Sequence, residues 1–500
     1  METNIDNQQQ CKARWREHPD FSTYTDPELI GAQEEVMENI RWAKQGDDPV
    51  LVAFFEIEMQ MLQAERARRH GVNSLSSLNS QSLQALPAID QAAFYGLAGN
   101  IVEAIEPFSE ADPVAILVNV VTAFGNVIGS GPHFLVEKSE HHLNFFVVQV
   151  GKSAKGRKGT AWSTPRFMFK ALDLEWGEKR IKGGLSSGEG LVYAVRDQRI
   201  EKKPYKESGR VAGYEDVVVD EGENDKRLLC IEEEFAQALK VMAREGNILS
   251  PILRDAWDGN RLAPMTKNSP LVSSGAHVSI IAHITQGELL RYFTSTEQTN
   301  GFGNRFIWLF VKRTKEIPTP TGCPDESLCP LIERLSNAVS FARKVGIMKR
   351  DEESEAIWTS VYHKLSAEKD GLVGALLARA EPQVMRLACI YALLDSSIVV
   401  RSSHLEAALA LWDYSEQSVG FIFGDLKGDP AVDRAFEALK QAGRLTTTDI
   451  HNLFGRHADK GEIDRVGREL LRMKGVTSVT TLDTGGRPAL TLTWGAKKAN

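Results

Sequence analysis

The chain has 500 residues, 42% of them hydrophobic and 25% charged, and a formal net charge of −8. That length exceeds one compact core and implies roughly two to four domains. The acidic balance excludes a generally basic surface, so any contact with nucleic acid has to come from a local patch or a pore.

Residues 1–20 are polar, lack the apolar run of a signal peptide, and read as disordered. Five scattered cysteines (Cys11, Cys230, Cys323, Cys329 and Cys389) form no CxxC pair and no zinc ladder, which suits a reducing cytoplasm. Helical periodicity at 27–46 and 50–70, closed by a Ser/Asn-rich linker at 73–84, defines an N-terminal helical region, 1–85, as a possible docking site for a protein partner. Further helices are predicted over 91–107 and 112–128. The run PVAILVNVVTAFGNVIG is too short for a membrane span and carries Asn119 and Asn126, so it reads as a buried helix, and no membrane contact is expected.

From 145 to about 313 apolar strands alternate with glycine turns and helices, an α/β pattern. The stretch VVQVGKSAKGRKGT, 147–160, runs from a strand into a basic glycine loop and then a helix. A phosphate loop needs such a strand, backbone amides turned to the phosphates, a lysine and a hydroxyl for Mg²⁺. Lys158 is the natural lysine and Thr160 the hydroxyl, with Gly151, Ser153, Gly156, Arg157 and Gly159 as the loop. The spacing departs from GxxxxGK[ST]: the glycines at 151 and 156 are each displaced by one position, so either the loop holds an extra residue or Arg157 faces the phosphates.

GGLSSGEGLVYAVRD, 183–197, surrounds Glu189 with small residues. Glu189 either polarises water or binds a pore element, or the segment is a helix cap. The segment 201–226 reads as an exposed polar insertion. In RLLCIEEEF a short apolar strand ends in Glu232, Glu233 and Glu234, candidates for holding a metal and activating water. Their roles turn on a one-residue register. The strand at 278–284 ends in His283 and Thr285, and Arg305 precedes another apolar strand. Prolines and glycines between 318 and 330 mark a connector, residues 330–424 are helical, and a boundary follows at 424–430.

This order of parts resembles AAA+ ATPases, and among them the MCM-type helicases. LLCIEEEFAQAL looks like a Walker B segment, LAPMTKNSPLVSSGAHVSIIAHIT like the hairpin and sensor 1 strand, NRFIWLFV like the arginine-finger segment, and ARAEPQVMRLACIYALL like lid helices. GGLSSGEGLVYAVRD with the GRKGT loop also resembles a family of phage, plasmid and bacterial P-loop proteins that includes halves of primase-like replication proteins, over about 90–425. The resemblance implies ATP and Mg²⁺ as cofactors, with Thr160, Glu232 and Glu233 near the metal. It implies Thr285 at sensor 1, where the family usually has Asn, Arg305 as a finger completing a neighbour's site, and Arg379 or Arg386 as a sensor 2 arginine at the nucleotide. A P-loop core over 86–315, a helical lid over 316–425, and a homo-oligomeric ring, expected to be a hexamer, follow from it. Lys267 is then a candidate for contacting single-stranded DNA in the pore.

Residues 429–500 read as a winged helix without help from any family. Three helices precede a hairpin around 483–486. On the third helix Ile463, Val466, Leu470 and Met473 share one face, and Arg465, Arg468 and Arg472 share another, joined by Lys474 and Arg487 for duplex DNA. The expectation is a cytoplasmic AAA+ ATPase that translocates on DNA in replication of a mobile element or its host. Two rivals are a AAA+ switch in anti-phage defence or regulation, and an initiator that assembles with ATP.

Overall fold

The computed structural model describes Val36 and residues 86–152, 159–207, 210–265, 271–369, 371–424, 430–454, 460–473, 475–481 and 489–494. The chain divides into two compact units, Met1–Leu83 and Gln84–Asn500, and all described residues except Val36 belong to the second. The expected N-terminal helices, the loop residues Ser153, Gly156, Arg157 and Lys158, Lys267, Lys474 and Arg487 lie outside the described residues.

Helix α1 (Gly96–Ile105) leads to α2 (Pro113–Val127). Asp112 caps α2 by accepting from Val114 N, and Pro113 enters with a φ already suited to a helix. Every α2 residue after Pro113 is buried, as expected of a helix apolar all round. A hairpin of β1 (His133–Val136) and β2 (Ser139–His142) comes next, then β3 (Phe146–Gly151) and α3 (Thr160–Leu172). The chain continues through β4 (Ile181–Lys182), α4 (Gly188–Ala194), the hairpin β5 (Arg199–Glu207) and β6 (Arg210–Asp220), and β7 (Arg227–Glu232). Helices α5 (Phe235–Met242) and α6 (Leu249–Asp258) precede β8 (His277–Thr285), α7 (Gln286–Tyr292) and β9 (Phe306–Phe310). The stretch expected as a polar insertion is thus a two-stranded arm, with Ile200, Tyr214 and Val218 exposed on it.

Five strands form one parallel sheet in the order β4-β7-β8-β3-β9. β3 and β9 are buried at every position, which is why they read as unbroken apolar runs. From β3 the chain moves three places to β4, steps back through β7 to β8, and then passes over β3 to β9. Helix α3 packs on α2, whereas α5 and α7 pack on one another and against β8. The direction of winding changes beside β3, the kind of switch point whose strand ends bind ligands in open α/β sheets.

The segment after β9 supplies α8 (Asp325–Ala342), α9 (Glu352–Leu365), α10 (Gly371–Leu377), α11 (Ala380–Leu394) and α12 (Ser402–Phe423), with β10 (Lys349–Arg350) and β11 (Val399–Val400) paired between them. The segments expected as core and lid share a single hydrophobic core that runs from Ala93 to Phe423. α12 also closes the outer edge of β9: Tyr414 Oη donates to Phe310 O at 2.6 Å and Ser415 Oγ to Trp308 O at 3.1 Å. At the opposite edge, β4 is only two residues long.

The tail holds α13 (Pro430–Ala442), β12 (Arg444–Thr446), α14 (Thr447–Leu453), α15 (Lys460–Leu471), β13 (Val476–Thr481) and β14 (Ala489–Trp494). Its antiparallel sheet has the order β12-β14-β13 and its own core, into which Ile463, Val466, Leu470 and Met473 pack. Among the described residues no helix is long and apolar enough to cross a membrane.

The buried His277 at the start of β8 places Nε2 2.8 Å from Gly125 O, so the ring donates there. Burial lowers its pKa to about 4. A histidine held neutral in the fold contributes stability that is present above its unfolded value of about 6.5 and is lost as pH falls through that window. Urea unfolding midpoints should fall on acidification from near 6.5 towards 4. A His277→Asn chain should start lower and lose less over the same range, and equal slopes in the two chains would refute the assignment.

Candidate functional site

The C-terminal ends of β3, β7 and β8 converge at the sheet's switch point. Gly151, the last residue of β3, pairs with Thr285 of β8, and Val150 pairs with Phe310 of β9. The loop that leaves Gly151 re-enters at Gly159, and α3 starts at Thr160. Both residues are exposed. The N-cap of α3 is Gly159, which has no side chain to offer, and the first turn of the helix holds no acidic residue. A helix start of this kind leaves backbone N–H groups and the positive end of the dipole turned outward. Gly159 has an ordinary helical φ of −65°, and a Cβ added there would meet nothing within 4 Å. Protein packing therefore does not require glycine at that point.

The three glutamates separate by register. Glu232 pairs with Ala282, which lies opposite Val148, so β7 stops roughly 10 Å short of the level of Gly151. The Glu232 side chain is buried and accepts from Leu185 N at 2.8 Å. Burial raises its pKa, opposed by the backbone N–H groups of Leu185 and Gly184. Glu233 and Glu234 lie in the turn after the strand and are exposed. Glu233 and Glu234 are thus the exposed carboxylates of the three. Glu232, expected near the metal, is instead committed to the glycine-rich segment.

That segment owes its composition to close packing. A Cβ on Gly183 would stand 2.6 Å from Ile231 O, one on Gly188 would meet Ile248 and Ile252 at 2.8–2.9 Å, and Gly184 has a φ of +85°. Ser187 caps α4 by accepting from Gly190 N. Glu189 stands half-buried in the first turn of that helix, so the capping reading of SSGEG describes the local geometry. Thr285 is likewise spent on structure: its hydroxyl donates to Glu288 Oε2 at 2.7 Å and accepts from Glu288 N, closing the capping box of α7.

The three arginines from the resemblance gather around the Trp257 ring, and two of them pair with Asp258, a carboxylate that sequence reasoning missed. Arg305 pairs with Asp258 Oδ2 at 2.5 Å, and Arg379 pairs with Asp258 Oδ1 at 3.2 Å. Arg386 lies 3.7 Å from the centre of the Trp257 ring and donates to Asn144 O at 2.8 Å and Trp257 O at 3.0 Å. Burial depresses the pKa of Arg386, yet a guanidinium stays charged in proteins. Arg305 precedes β9 and Asn144 precedes β3, so the cluster lies at the N-terminal ends of the strands. β3 spans about 20 Å, which puts the loop at the far end. Arg379 and Arg386 thus stand near the N-terminal end of β3, opposite the end that leads into the loop. Arg305 is 7% exposed and engaged in its own chain.

In the tail, Arg468 and Arg472 are exposed and Arg465 is half-buried, all off the face that packs into the core. Arg472 Nη1 donates to Glu469 Oε1 at 2.5 Å. Comparison with protein-family models and with curated proteins finds no match to this chain.

Glu232→Gln keeps an acceptor for Leu185 N while removing a charge that burial penalises. A carboxyl whose folded pKa is raised stabilises fully below its unfolded value and loses that contribution as pH rises through the folded one. The variant should therefore unfold at a higher temperature than the parent at pH 8, with the gain vanishing near pH 4. A gain that is equal at both pH values would refute burial of the charge as its cause.

Proposed function

We propose that the chain is a Mg²⁺-dependent ATPase of the AAA+ type. Its parts are an α/β P-loop core, a helical lid and a C-terminal winged helix. It assembles as a ring, expected to be a hexamer, and moves on DNA during replication of a mobile element or its host. One observation carries the ATPase reading. At the switch point a loop of glycine-bearing sequence joins the central strand to a helix start whose N-cap is Gly159, and Glu233 and Glu234 stand exposed at the end of the strand beyond β8. Anions are favoured at such helix starts.

The donor set fits a nucleotide with its metal. Lys158 and the loop amides would hold the phosphates, while the Thr160 hydroxyl and Glu233 would hold Mg²⁺, whose charge offsets that of the phosphates. Glu234 is then placed to take the proton of the attacking water. For Arg305 to complete a neighbour's site, its guanidinium must leave Asp258. That pairing is the one observation favouring a AAA+ switch, with the finger held in its own chain until a partner releases it.

Lys158→Ala should abolish ATP hydrolysis, by about 100-fold or more, in a chain whose circular dichroism is unchanged. Single-stranded DNA should stimulate the parent rate severalfold if the ring translocates. A folded Lys158→Ala chain with the parent's activity would sink the ATPase reading, and a DNA-indifferent rate would favour the switch.

The tail's arrangement of three helices, the last presenting Arg465, Arg468 and Arg472, and a three-stranded sheet supports a winged helix on duplex DNA. Replacing the three arginines by alanine should weaken duplex binding and reduce its slope against log salt by about 2–3, because fewer counterions are released. Identical slopes would point to a protein-docking tail.

A further inference from the structure

The geometry points to a binding site for a divalent transition-metal ion on the β1–β2 hairpin, formed by Nε2 of His133, Nε2 of His142 and a carboxylate oxygen of Glu140. The cross-strand register puts His133 directly opposite His142, and Leu135 opposite Glu140. Side chains alternate along a strand, so His133, Glu140 and His142 share one face. Phe134 and His141 share the other, where their rings stack with centroids 4.8 Å apart.

The donor atoms already converge. Glu140 Oε1 is 4.0 Å from His133 Nε2, and Oε2 is 3.7 Å from His142 Nε2. Ligand bonds of 2.0–2.2 Å to a tetrahedral ion place donor atoms roughly 3.4 Å apart, so small rotamer adjustments close the site. The His133 tautomer is fixed by its surroundings. Nδ1 lies 2.8 Å from Gly131 O, which can only accept, so Nδ1 carries the proton and Nε2 presents its lone pair to the ion. A backbone carbonyl on the far nitrogen is the usual outer-shell partner of a ligating imidazole. His142 is held against the chain at Gly259, where an added Cβ would stand 2.9 Å from its Cδ2.

The charge balance also favours an ion. Glu140 brings one negative charge to the cluster, and the two imidazoles bring ring-nitrogen lone pairs. A divalent cation supplies the positive charge and uses both rings in their neutral form. Two imidazoles and one carboxylate suit Zn²⁺, whereas Ca²⁺ and Mg²⁺ prefer oxygen donors throughout. The His133 and His142 side chains are 13% and 19% exposed and Glu140 is 56% exposed, so a fourth coordination position faces solvent.

The test uses the full chain stripped with chelator, with Zn²⁺ followed by equilibrium dialysis and Co²⁺ as an optical probe. One Zn²⁺ should bind per chain at micromolar concentration or below, displaced competitively by Co²⁺. The Co²⁺ form should show visible d–d bands without thiolate charge transfer, which separates this site from any cysteine. Glu140→Gln changes an exposed side chain and leaves the fold in place; it should weaken Zn²⁺ binding at least about tenfold, and His142→Asn should do so further. Absence of binding by the folded parent, equal affinity in the parent and Glu140→Gln chains, or a thiolate-dominated Co²⁺ spectrum would each overturn the proposal.

Discussion

The buried side chain of Asn126 holds together elements that are far apart in the sequence. Its amide nitrogen lies 3.1 Å from both Leu228 O and His277 O and 3.3 Å from Ser279 Oγ, while its oxygen accepts from Trp176 Nε1 at 2.9 Å. One buried residue on α2 thereby ties together β7, β8 and the short helix Leu174–Lys179 that follows α3. A neighbouring pair repeats the device, with Gln149 of β3 donating to Asn119 at 2.7 Å. Polar groups in so apolar a setting are costly when unpaired and orienting when paired. They fix how the apolar helix lies across the sheet, and with it the level at which each strand ends. Everything at the switch point depends on those levels.

The two ends of the sheet carry opposite chemistry. At the C-terminal ends stand backbone amides and exposed carboxylates. At the N-terminal ends three guanidiniums gather at the Trp257 ring and two of them share Asp258, a net positive cluster. Parallel strands force this separation, because residues before and after a strand cannot meet. Any chemistry that needs both ends at once has to bring in a second chain.

Much of this was legible in the sequence. The strands at 146–151, 227–232, 277–285 and 306–310 appear as apolar runs bounded by glycine or charge, and the tail's third helix shows its buried face at helical spacing. What stayed hidden depended on distant partners. Three consecutive glutamates look alike until Leu185, 47 positions away, takes Glu232. Arg305 before an apolar strand reads as exposed because nothing nearby announces Asp258, also 47 positions away. Thr285 reads as a polar sensor because its capping role appears only once α7 is seen to start there. The β5–β6 arm went unread because its residues are largely polar, so no buried face imposes a period on them.

The edges of the parallel sheet bear on how copies of this chain can meet. A strand with unpaired backbone groups is a template for another chain, and both edges here are blunted. β4 offers only two residues, and the outward carbonyls of β9 are taken by Tyr414 and Ser415. Growth of the sheet from one molecule into the next is thereby closed off at both sides. Contacts between copies at this sheet fall to side-chain surfaces, and not to a continuous backbone ladder through its edges.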